Sequence, residues 1–195
     1  MTKKRTTMLI SDGEITVRTA QLEDAEGLAD YFVTNRDYLK PWEPQREAAF
    51  FEVTGWQQKL IKLEELHRLA LGYYCLIIDV NSLQIVGTIS FSNVTRFPFY
   101  ACHVGYSLAE SAQGRYIMTR ALNMACEYLF KQQNIHRIMA AYMPSNHRSA
   151  AVLERVGFSR EGLAKDYLLI NGQWQDHVLV SLINSNWQAN VSISG

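Results

Sequence analysis

The segment from residue 142 to residue 162 constrains the fold of this chain more than any other part. It reads YMPSNHRSAAVLERVGFSREG, and the apolar run before it stops at Pro144. Asn146 and Ser149 have the spacing of a helix N-cap, and the amphipathic stretch after them ends at Gly157. A second extended stretch follows at once. The order of strand, capped helix, glycine stop and strand predicts two polar side chains at a helix N-terminus beside a sheet.

Hydrophobic periodicity predicts the remaining elements. Alternating or continuous apolar runs indicate strands at 14–18, 73–80, 85–93, 101–108, 135–142, 158–170 and 174–183. Apolar stripes of helical period indicate helices at 22–35, 52–69 and 114–132. Two prolines around a Trp-Glu pair predict a stiff aromatic loop at 38–44. This order predicts a single α+β domain, with α/β character, built on a mixed and mostly antiparallel sheet flanked by helices.

The composition indicates an ordinary globular protein. The chain of 195 residues is 48% hydrophobic and 19% charged, with a formal net charge of zero. A neutral balance gives no electrostatic reason to expect direct DNA binding. Lys3, Lys4 and Arg5 form a basic cluster. We interpret it as part of a solvated tail, with a contact to an acidic partner such as RNA as the alternative.

The cysteines and the apolar runs bear on location. Cys75, Cys102 and Cys126 each lie inside an apolar run and form no CxxC pair, so we expect reduced core thiols. The apolar runs are all far shorter than the roughly 18 residues that a membrane span needs. The sequence therefore predicts a cytoplasmic protein without a membrane partner.

Two patterns carry a family resemblance. The motif A-x-x-x-G-Y-x-L before the third predicted helix, with N-x-x-S…L…G-F…E-G after it, resembles the GNAT superfamily of N-acetyltransferases. Several runs resemble, more narrowly, the ribosomal-protein-alanine N-acetyltransferases of the RimJ type; they lie at 38–44, 55–57, 91–94, 105–107, 136–140 and 165–174. The resemblance covers about residues 14–185. It implies a GNAT domain at 14–185, with a flexible N-terminal tail at 1–13 and a C-terminal tail at 186–195.

The resemblance also implies an activity and partners. It implies transfer of an acetyl group from acetyl-CoA, the cosubstrate, to the N-terminal alanine amine of a small-subunit ribosomal protein. The ribosome itself is the alternative partner, and a monomer or weak dimer is expected. No metal is implied, and the histidines agree, since none of the five forms an HExxH or a clustered ligand spacing: His67, His103, His136, His147 and His177.

In this family the acetyl donor is held by a strand end and by the helix that follows it. Backbone N–H groups near the strand end face the thioester, and the helix N-terminus binds the pyrophosphate because its first N–H groups are unpaired and partly positive. The implied cofactor-binding residues are Ser107, Leu108, Gln113, Gly114, Arg115, Tyr116, Ile117 and Asn146.

The pyrophosphate loop departs from the family pattern, Gln/Arg-x-x-Gly-x-Gly/Ala. Gly114 fits, but Ser111 stands where Gln or Arg is expected and Tyr116 stands where a tiny residue is expected. The tyrosine could crowd the phosphate, or it could point into solvent or into the core. Either Arg115 and the helix dipole still bind the diphosphate, or the loop no longer binds CoA well.

The resemblance implies catalytic roles for two residues. Ser149 matches the serine placed near the sulfur, where it would donate to the leaving thiolate; alternatively it is only a cap, as Asn146 could be. His103, on the strand beside the expected thioester, is the candidate base, with a packing role as the alternative. Further candidates for the base are Asp166, Glu161 and Glu43.

Four residues would line the acceptor groove: Trp42, Glu43, Tyr167 and Trp174. The alternative is that the tryptophans belong to the core. Two rival functions stay open at this point. One is a non-catalytic descendant that binds the ribosome, motivated by the departures at Ser111 and Tyr116, and the other is an acetyltransferase of a small amine.

Overall fold

A computed structural model describes residues 7–189. It contains eight strands: β1 Leu9–Ser11, β2 Ile15–Thr19, β3 Tyr73–Asp79, β4 Ile85–Thr95, β5 Ala101–Leu108, β6 Arg137–Tyr142, β7 Ser159–Ile170 and β8 Gln173–Ile183. It contains five α-helices: α1 Ala25–Thr34, α2 Arg36–Leu39, α3 Val53–Arg68, α4 Ile117–Gln133 and α5 His147–Val156. Gly157, at φ +99°, ends α5 as the glycine in its sequence position predicts.

All eight strands form one sheet in the order β1-β2-β3-β4-β5-β6-β8-β7. Neighbouring strands pair antiparallel except β5 and β6, which are parallel because α4 carries the chain back between them. The prediction of a mixed, mostly antiparallel sheet flanked by helices is confirmed.

Helices cover both faces of the sheet. Adjacent residues of β5 point to opposite faces, and they reach different helices: the Tyr106 hydroxyl lies 2.9 Å from Ser149 of α5, and Ser107 Oγ lies 2.9 Å from the Tyr31 hydroxyl of α1. α1 contacts α3, and α4 contacts α5. Two helices therefore lie on each face, and the buried apolar side chains between helix and sheet form the core.

The N-terminal boundary predicted for the domain is wrong. β1 pairs with β2, and Met8 is only 1% exposed because its side chain packs into the core. A flexible tail through residue 13 is therefore contradicted from residue 8 onwards. The basic cluster Lys3-Lys4-Arg5 lies outside the described residues.

The predicted C-terminal boundary at residue 186 is also too early. The Trp187 indole N–H donates to the Asn134 carbonyl at 3.1 Å, and its ring packs against Tyr100 and His136. An indole that is hydrogen-bonded and stacked in this way belongs to the domain rather than to a tail.

The predicted loop at 38–44 contains short helical turns. α2 ends at Leu39, which is buried, and a 3₁₀ turn follows at Lys40–Trp42. Pro41 fits there because the first residues of a helical turn need no backbone N–H.

The three cysteines are buried and unpaired, as predicted for core thiols. Burial raises the pKa of the Cys75 thiol to about 12, which makes it unreactive. Across residues 7–189, no helix combines the length and the apolar character that a membrane crossing requires.

Candidate active site

The two parallel strands separate in the middle of the sheet. β5 and β6 pair only between Ala101–His103 and Arg137–Met139, although β5 continues to Leu108 and β6 to Tyr142. Beyond His103 the edge of β5 that faces β6 has no ladder partner among the described strands. Backbone N–H and C=O groups at this gap are therefore available to an extended ligand.

Ser149 lies beside this gap and is hydrogen-bonded from β5. Its Oγ is 2.9 Å from the Tyr106 hydroxyl, which also lies 3.3 Å from the Ser149 carbonyl. Burial raises the pKa of Tyr106 above its ordinary value, so the phenol stays protonated at physiological pH. Sequence reasoning missed Tyr106 because 43 residues separate it from Ser149.

Asn146 is the N-cap of α5. Its side-chain oxygen accepts a hydrogen bond from the Ser149 N–H at 3.1 Å. This bond fixes the first turn of α5 and with it the direction of the Ser149 side chain. The capping role is observed, and the amide nitrogen of Asn146 stays available for a ligand.

The Ser107 side chain points away from Ser149. Its Oγ lies 2.9 Å from both the Tyr31 hydroxyl and Thr88 Oγ1, and all three groups are buried. These bonds hold the end of β5 against the opposite face of the sheet. Ser107 can therefore offer its backbone, rather than its hydroxyl, to a ligand in the gap.

His103 closes the narrow end of the gap. It is the last residue of β5 that pairs with β6, roughly 10 Å along the strand from Tyr106. Its Nδ1 is buried and has no hydrogen-bond partner among the described residues, and burial lowers the pKa of the imidazole. His103 does not line the cavities around Ser149. A buried nitrogen at the end of a ligand groove needs a hydrogen-bond partner, and a polar group of a bound ligand or a water would be that partner.

The turn before α4 forms the wide end of the gap. Gly114 has φ +76° and Tyr116, the N-cap of α4, has φ +56° with no side-chain cap. The first N–H groups of α4 therefore have no side-chain acceptor and can bind an anion. Gln113 donates to the carbonyls of Leu108 and Ala109, which connects this turn to the end of β5.

The Tyr116 ring lies at the surface. It is 63% exposed, and the Arg155 guanidinium lies 5.1 Å from its centroid. A position of the Tyr116 side chain in the core, one of the alternatives raised by the sequence, is therefore excluded. The ring and Arg155 together form part of the wall of the groove.

The cations of the groove come from α5 rather than from the loop. Arg115 lies 3.4 Å from the Asp79 carboxylate and does not line the groove. Arg148, in the first turn of α5, and Arg155, in its last turn, do line it, together with His147. The Arg115 side chain therefore lies beside Asp79 and outside the groove, and a role for Arg115 in cofactor binding stays a prediction.

These elements enclose two connected spaces. A groove of about 640 Å³ runs between the N-terminal turn of α4 and the length of α5, and Leu108, Gln113 and Ile117 contribute to its lining. A smaller cavity of about 110 Å³ continues from it and is lined by Tyr106, Ser107, Asn146 and Ser149. The structure thus brings most of the predicted cofactor-binding residues together around one continuous groove.

The segment after α2 and the β7–β8 turn meet at the mouth of the small cavity. Trp42 lines this cavity, and the Asn171 N–H donates to the Glu43 carbonyl at 3.1 Å. The Glu43 carboxylate is 20% exposed and lies 3.4 Å from Arg46. Burial raises the pKa of Glu43 above its ordinary value. The predicted acceptor residues Trp42 and Glu43 therefore lie next to the site.

Tyr167 and Trp174 are farther away. Both lie on the β7–β8 hairpin, 36% and 61% exposed, and neither lines the cavity around Ser149. Trp42 and Trp174 are both too exposed to be core residues. Of the further candidate bases, Glu161 is engaged by Arg137 and by Ser181 at 2.7 Å.

Among the described residues, no group of three or more His, Cys, Asp or Glu side chains is placed to hold a metal ion. The groove has the features of a site for an elongated anion: unpaired helix N–H groups, two arginines and an open strand edge.

Comparisons with known proteins agree with this geometry. A profile described as acetyltransferase (GNAT) domain matches residues 14–159. The chain is 45% identical to ribosomal protein uS5-alanine N-acetyltransferase of Escherichia coli K12 over 178 residues, which are 91% of this chain and 92% of that enzyme. Ribosomal-protein-S5-alanine acetyltransferase from Vibrio fischeri is 50% identical with a TM-score of 0.91, over 93% of this chain and all of that one. Mycobacterium smegmatis RimJ in complex with CoA-disulfide is 31% identical with a TM-score of 0.82, over 91% of this chain and 85% of that one.

Proposed function

This chain belongs to the acetyltransferase (GNAT) family and is an N-acetyltransferase, and we propose that it transfers the acetyl group of acetyl-CoA to the N-terminal alanine amine of a small-subunit ribosomal protein. One observation carries the reaction: the gap between β5 and β6 opens between the anion-binding turn of α4 and the hydrogen-bonded pair Tyr106 and Ser149. The likeness to the enzymes of E. coli and V. fischeri supports the acceptor.

The groove fits acetyl-CoA in charge and shape. The donor carries phosphates at one end and a thioester at the other, joined by a narrow arm. Arg148, Arg155 and the first N–H groups of α4 would hold the phosphates at the wide end. The unpaired edge of β5, with Asn146 opposite, would hold the arm in the gap.

Acetyl-CoA supplies an activated acetyl group whose leaving group is a thiolate. Ser149 would donate a hydrogen bond to the sulfur as it leaves. It can do so only if its own hydrogen is free, and this requires Tyr106 to be the donor in the 2.9 Å bond between them. We assign Tyr106 the role of a positioning residue that orients the Ser149 hydroxyl.

The acceptor amine must lose a proton before it attacks. An α-amine has a pKa of about 8, so part of it is neutral at physiological pH and a weak base suffices. His103 at the closed end of the gap would accept the proton through its free Nδ1, directly or through water. Glu43, whose pKa burial raises, is the second candidate, on the acceptor side.

The departures in the pyrophosphate loop do not favour a non-catalytic binding protein. Tyr116 lies on the wall of the groove, and the groove keeps a volume of about 640 Å³. Phosphate binding by backbone N–H groups does not depend on the side chain at position 116.

The test is incubation of the pure protein with acetyl-CoA and an alanine-initiated peptide, followed by mass spectrometry. We expect one acetyl group on the N-terminal amine and none on a peptide whose N-terminus is blocked. Spermidine as acceptor tests the small-amine alternative. Absence of any mass gain at high enzyme concentration, with CoA binding seen by calorimetry, would refute the proposed acceptor and leave the donor site intact.

A further inference from the structure

A second cavity adjoins the acceptor entrance. It has a volume of about 500 Å³ and lies between α1, α2 and the segment 43–51. It shares Leu39 with the cavity around Ser149. Glu43 and Asn171, which join the two sides of the entrance through their backbones, both line it. A chain that presents its N-terminus to Ser149 would thus pass close to this cavity.

The lining of this cavity carries an excess of positive charge. Arg36, Lys40 and Arg46 line it against two carboxylates, Asp37 and Glu43. Among the described residues, Arg46 is ion-paired with Glu43 at 3.4 Å, whereas Arg36 and Lys40 have no ion pair. Two cations in the lining are therefore available to an anion that enters.

Aromatic rings hold two of the pocket's cations, Arg36 and Arg46, in place without neutralising them. The Arg36 guanidinium lies 4.4 Å from the centroid of Phe51, and that of Arg46 lies 4.5 Å from the centroid of Phe50. Lys59 Nζ lies 4.6 Å from the same Phe50 ring. Burial, together with the charge of Arg46, lowers the pKa of Lys59 to about 8. Burial is the main cause of this lowering, and the charge of Arg46 adds to it.

The structure assigns this basic pocket, formed by Arg36, Lys40, Arg46, Phe50 and Phe51, to the binding of an aspartate or glutamate side chain that follows the N-terminal residue of the acceptor. The inference rests on the proposed function, because it takes the acceptor to be a peptide. The inference adds a preference of the enzyme for an acidic residue after the first position of the acceptor, beyond the preference for alanine at that position.

The chemistry of the pocket favours a carboxylate. The guanidinium group matches a carboxylate in geometry, and the Glu43–Arg46 pair shows that this environment already accepts one such contact. The rings of Phe50 and Phe51 supply the apolar part of the lining. A free carboxylate on the acceptor would be the third in the lining and would balance the three cations.

The first experiment uses the unmodified enzyme and a set of alanine-initiated peptides. One position at a time, from the second to the sixth, carries Glu, Gln or Lys on an otherwise neutral sequence. We expect kcat/KM at one or two positions to be about fivefold to tenfold higher for Glu than for Gln, and lower for Lys. This preference should shrink as the salt concentration rises. Equal rates for Glu and Gln at every position would overturn the inference, whereas no acetylation of any peptide would refute the proposed function instead.

The second experiment tests the pocket itself. In the double variant Arg36→Gln, Lys40→Gln, the ratio of the Glu rate to the Gln rate at the preferred position should fall towards one. Arg160→Gln removes an exposed cation of β7 outside the pocket and should keep the ratio of the unmodified enzyme. Circular dichroism checks that each variant folds. A ratio that persists in the double variant would place the preference elsewhere and overturn the assignment.

Discussion

The two ends of the donor groove are built in different ways. At the narrow end, a hydrogen bond of 2.9 Å joins Tyr106 of β5 to Ser149 of α5, and the Asn146 side chain accepts from the Ser149 N–H at 3.1 Å within the cap of α5. At the wide end, the turn before α4 offers backbone N–H groups, and its neighbours Tyr116 and Arg155 form an exposed pair. The narrow end depends on which side chains are present, whereas the wide end depends mainly on the path of the backbone.

This difference explains why the loop tolerates an unusual sequence. A phosphate bound by helix N–H groups needs the turn geometry and positive charge nearby, and both can come from several residues. Here the charge comes from α5 rather than from the loop. A hydroxyl that must point its hydrogen at a sulfur has no such freedom. We therefore expect substitutions at the narrow end to act on kcat and those at the wide end to act on KM for acetyl-CoA.

The largest effect should come from Ser149→Ala. Removing a donor to the leaving thiolate should lower kcat by about 10–100-fold, with KM for acetyl-CoA nearly unchanged. Steady-state kinetics with an alanine-initiated peptide measures both. Ser149→Thr, which keeps the hydroxyl, is the matched control. A normal kcat in Ser149→Ala would reduce the residue to a part of the helix cap.

His103→Gln should lower kcat/KM by about tenfold near pH 7. Because burial lowers the pKa of His103 below its ordinary 6.5, the neutral, proton-accepting form persists to a more acid pH. Besides the titration of the acceptor amine, the rate of the unmodified enzyme should show a further fall below about pH 6.5, through this lowered pKa. The variant should lack that further fall and follow the amine alone. If the pH–rate profiles of both enzymes fall in parallel, His103 is a packing residue and the base must be sought on the acceptor side, at Glu43.

At the wide end, Arg148→Gln and Arg155→Gln should each raise KM for acetyl-CoA about threefold to tenfold, with kcat preserved. Arg115→Gln is the matched control, because Arg115 is paired with Asp79 and does not line the groove. Calorimetry with CoA gives the affinity directly. A larger loss of affinity in Arg115→Gln than in Arg155→Gln would contradict the position of the cations described above.

Tyr106→Phe should have a smaller effect than Ser149→Ala, about threefold to fivefold on kcat, since it removes only the group that orients Ser149. The double variant with Ser149→Ala should be no slower than Ser149→Ala alone, because Tyr106 acts through that hydroxyl. If the two losses instead multiply, Tyr106 has a role of its own.

The smallest effect should come from Tyr116→Gly. Glycine adopts the left-handed backbone angle at position 116 without strain, which raises the free energy of unfolding by about 1–2 kcal/mol. Loss of the Arg155 contact and the greater freedom of glycine in the unfolded chain lower it by about as much. We expect a melting temperature within a few degrees of the original and a KM for acetyl-CoA within about twofold. A clearly lower KM would mean that the tyrosine crowds the phosphate, and a clearly higher KM that it contributes to binding.

The sequence predicted the regular elements well because their patterns are strong. The strand at Ala101–Leu108 has the predicted bounds, and the capped helix after Asn146 ends at Gly157 as expected. Short elements were missed, since β1 has three residues and α2 has four, too few for a period to show. Packing rather than periodicity forms them, as the buried side chains of Met8 and Leu39 indicate.

The sequence predicted the backbone elements of the candidate site but not the hydrogen-bond and ion-pair partners of its side chains. The strand end, the α4 turn and the α5 cap could be read from the motifs. The bond from Tyr106 to Ser149 joins residues far apart in the chain, and only the packing of α5 against the sheet brings them together. Arg115 was expected to bind the phosphate because it stands in the loop, whereas its side chain lies 3.4 Å from Asp79 of β3 and does not line the groove.

The short ladder between β5 and β6 also links the substrate to the stability of the protein. Three residue pairs connect two strands that continue beyond them, so the sheet lacks some of the rungs that its length would allow. A donor molecule lying along β5 would supply those rungs, and its binding free energy would add to the free energy of unfolding, by about 2.7 kcal/mol at a hundred times its Kd. Thermal unfolding with and without acetyl-CoA would then report on the candidate active site, because the proposed donor groove is an interruption in the sheet itself.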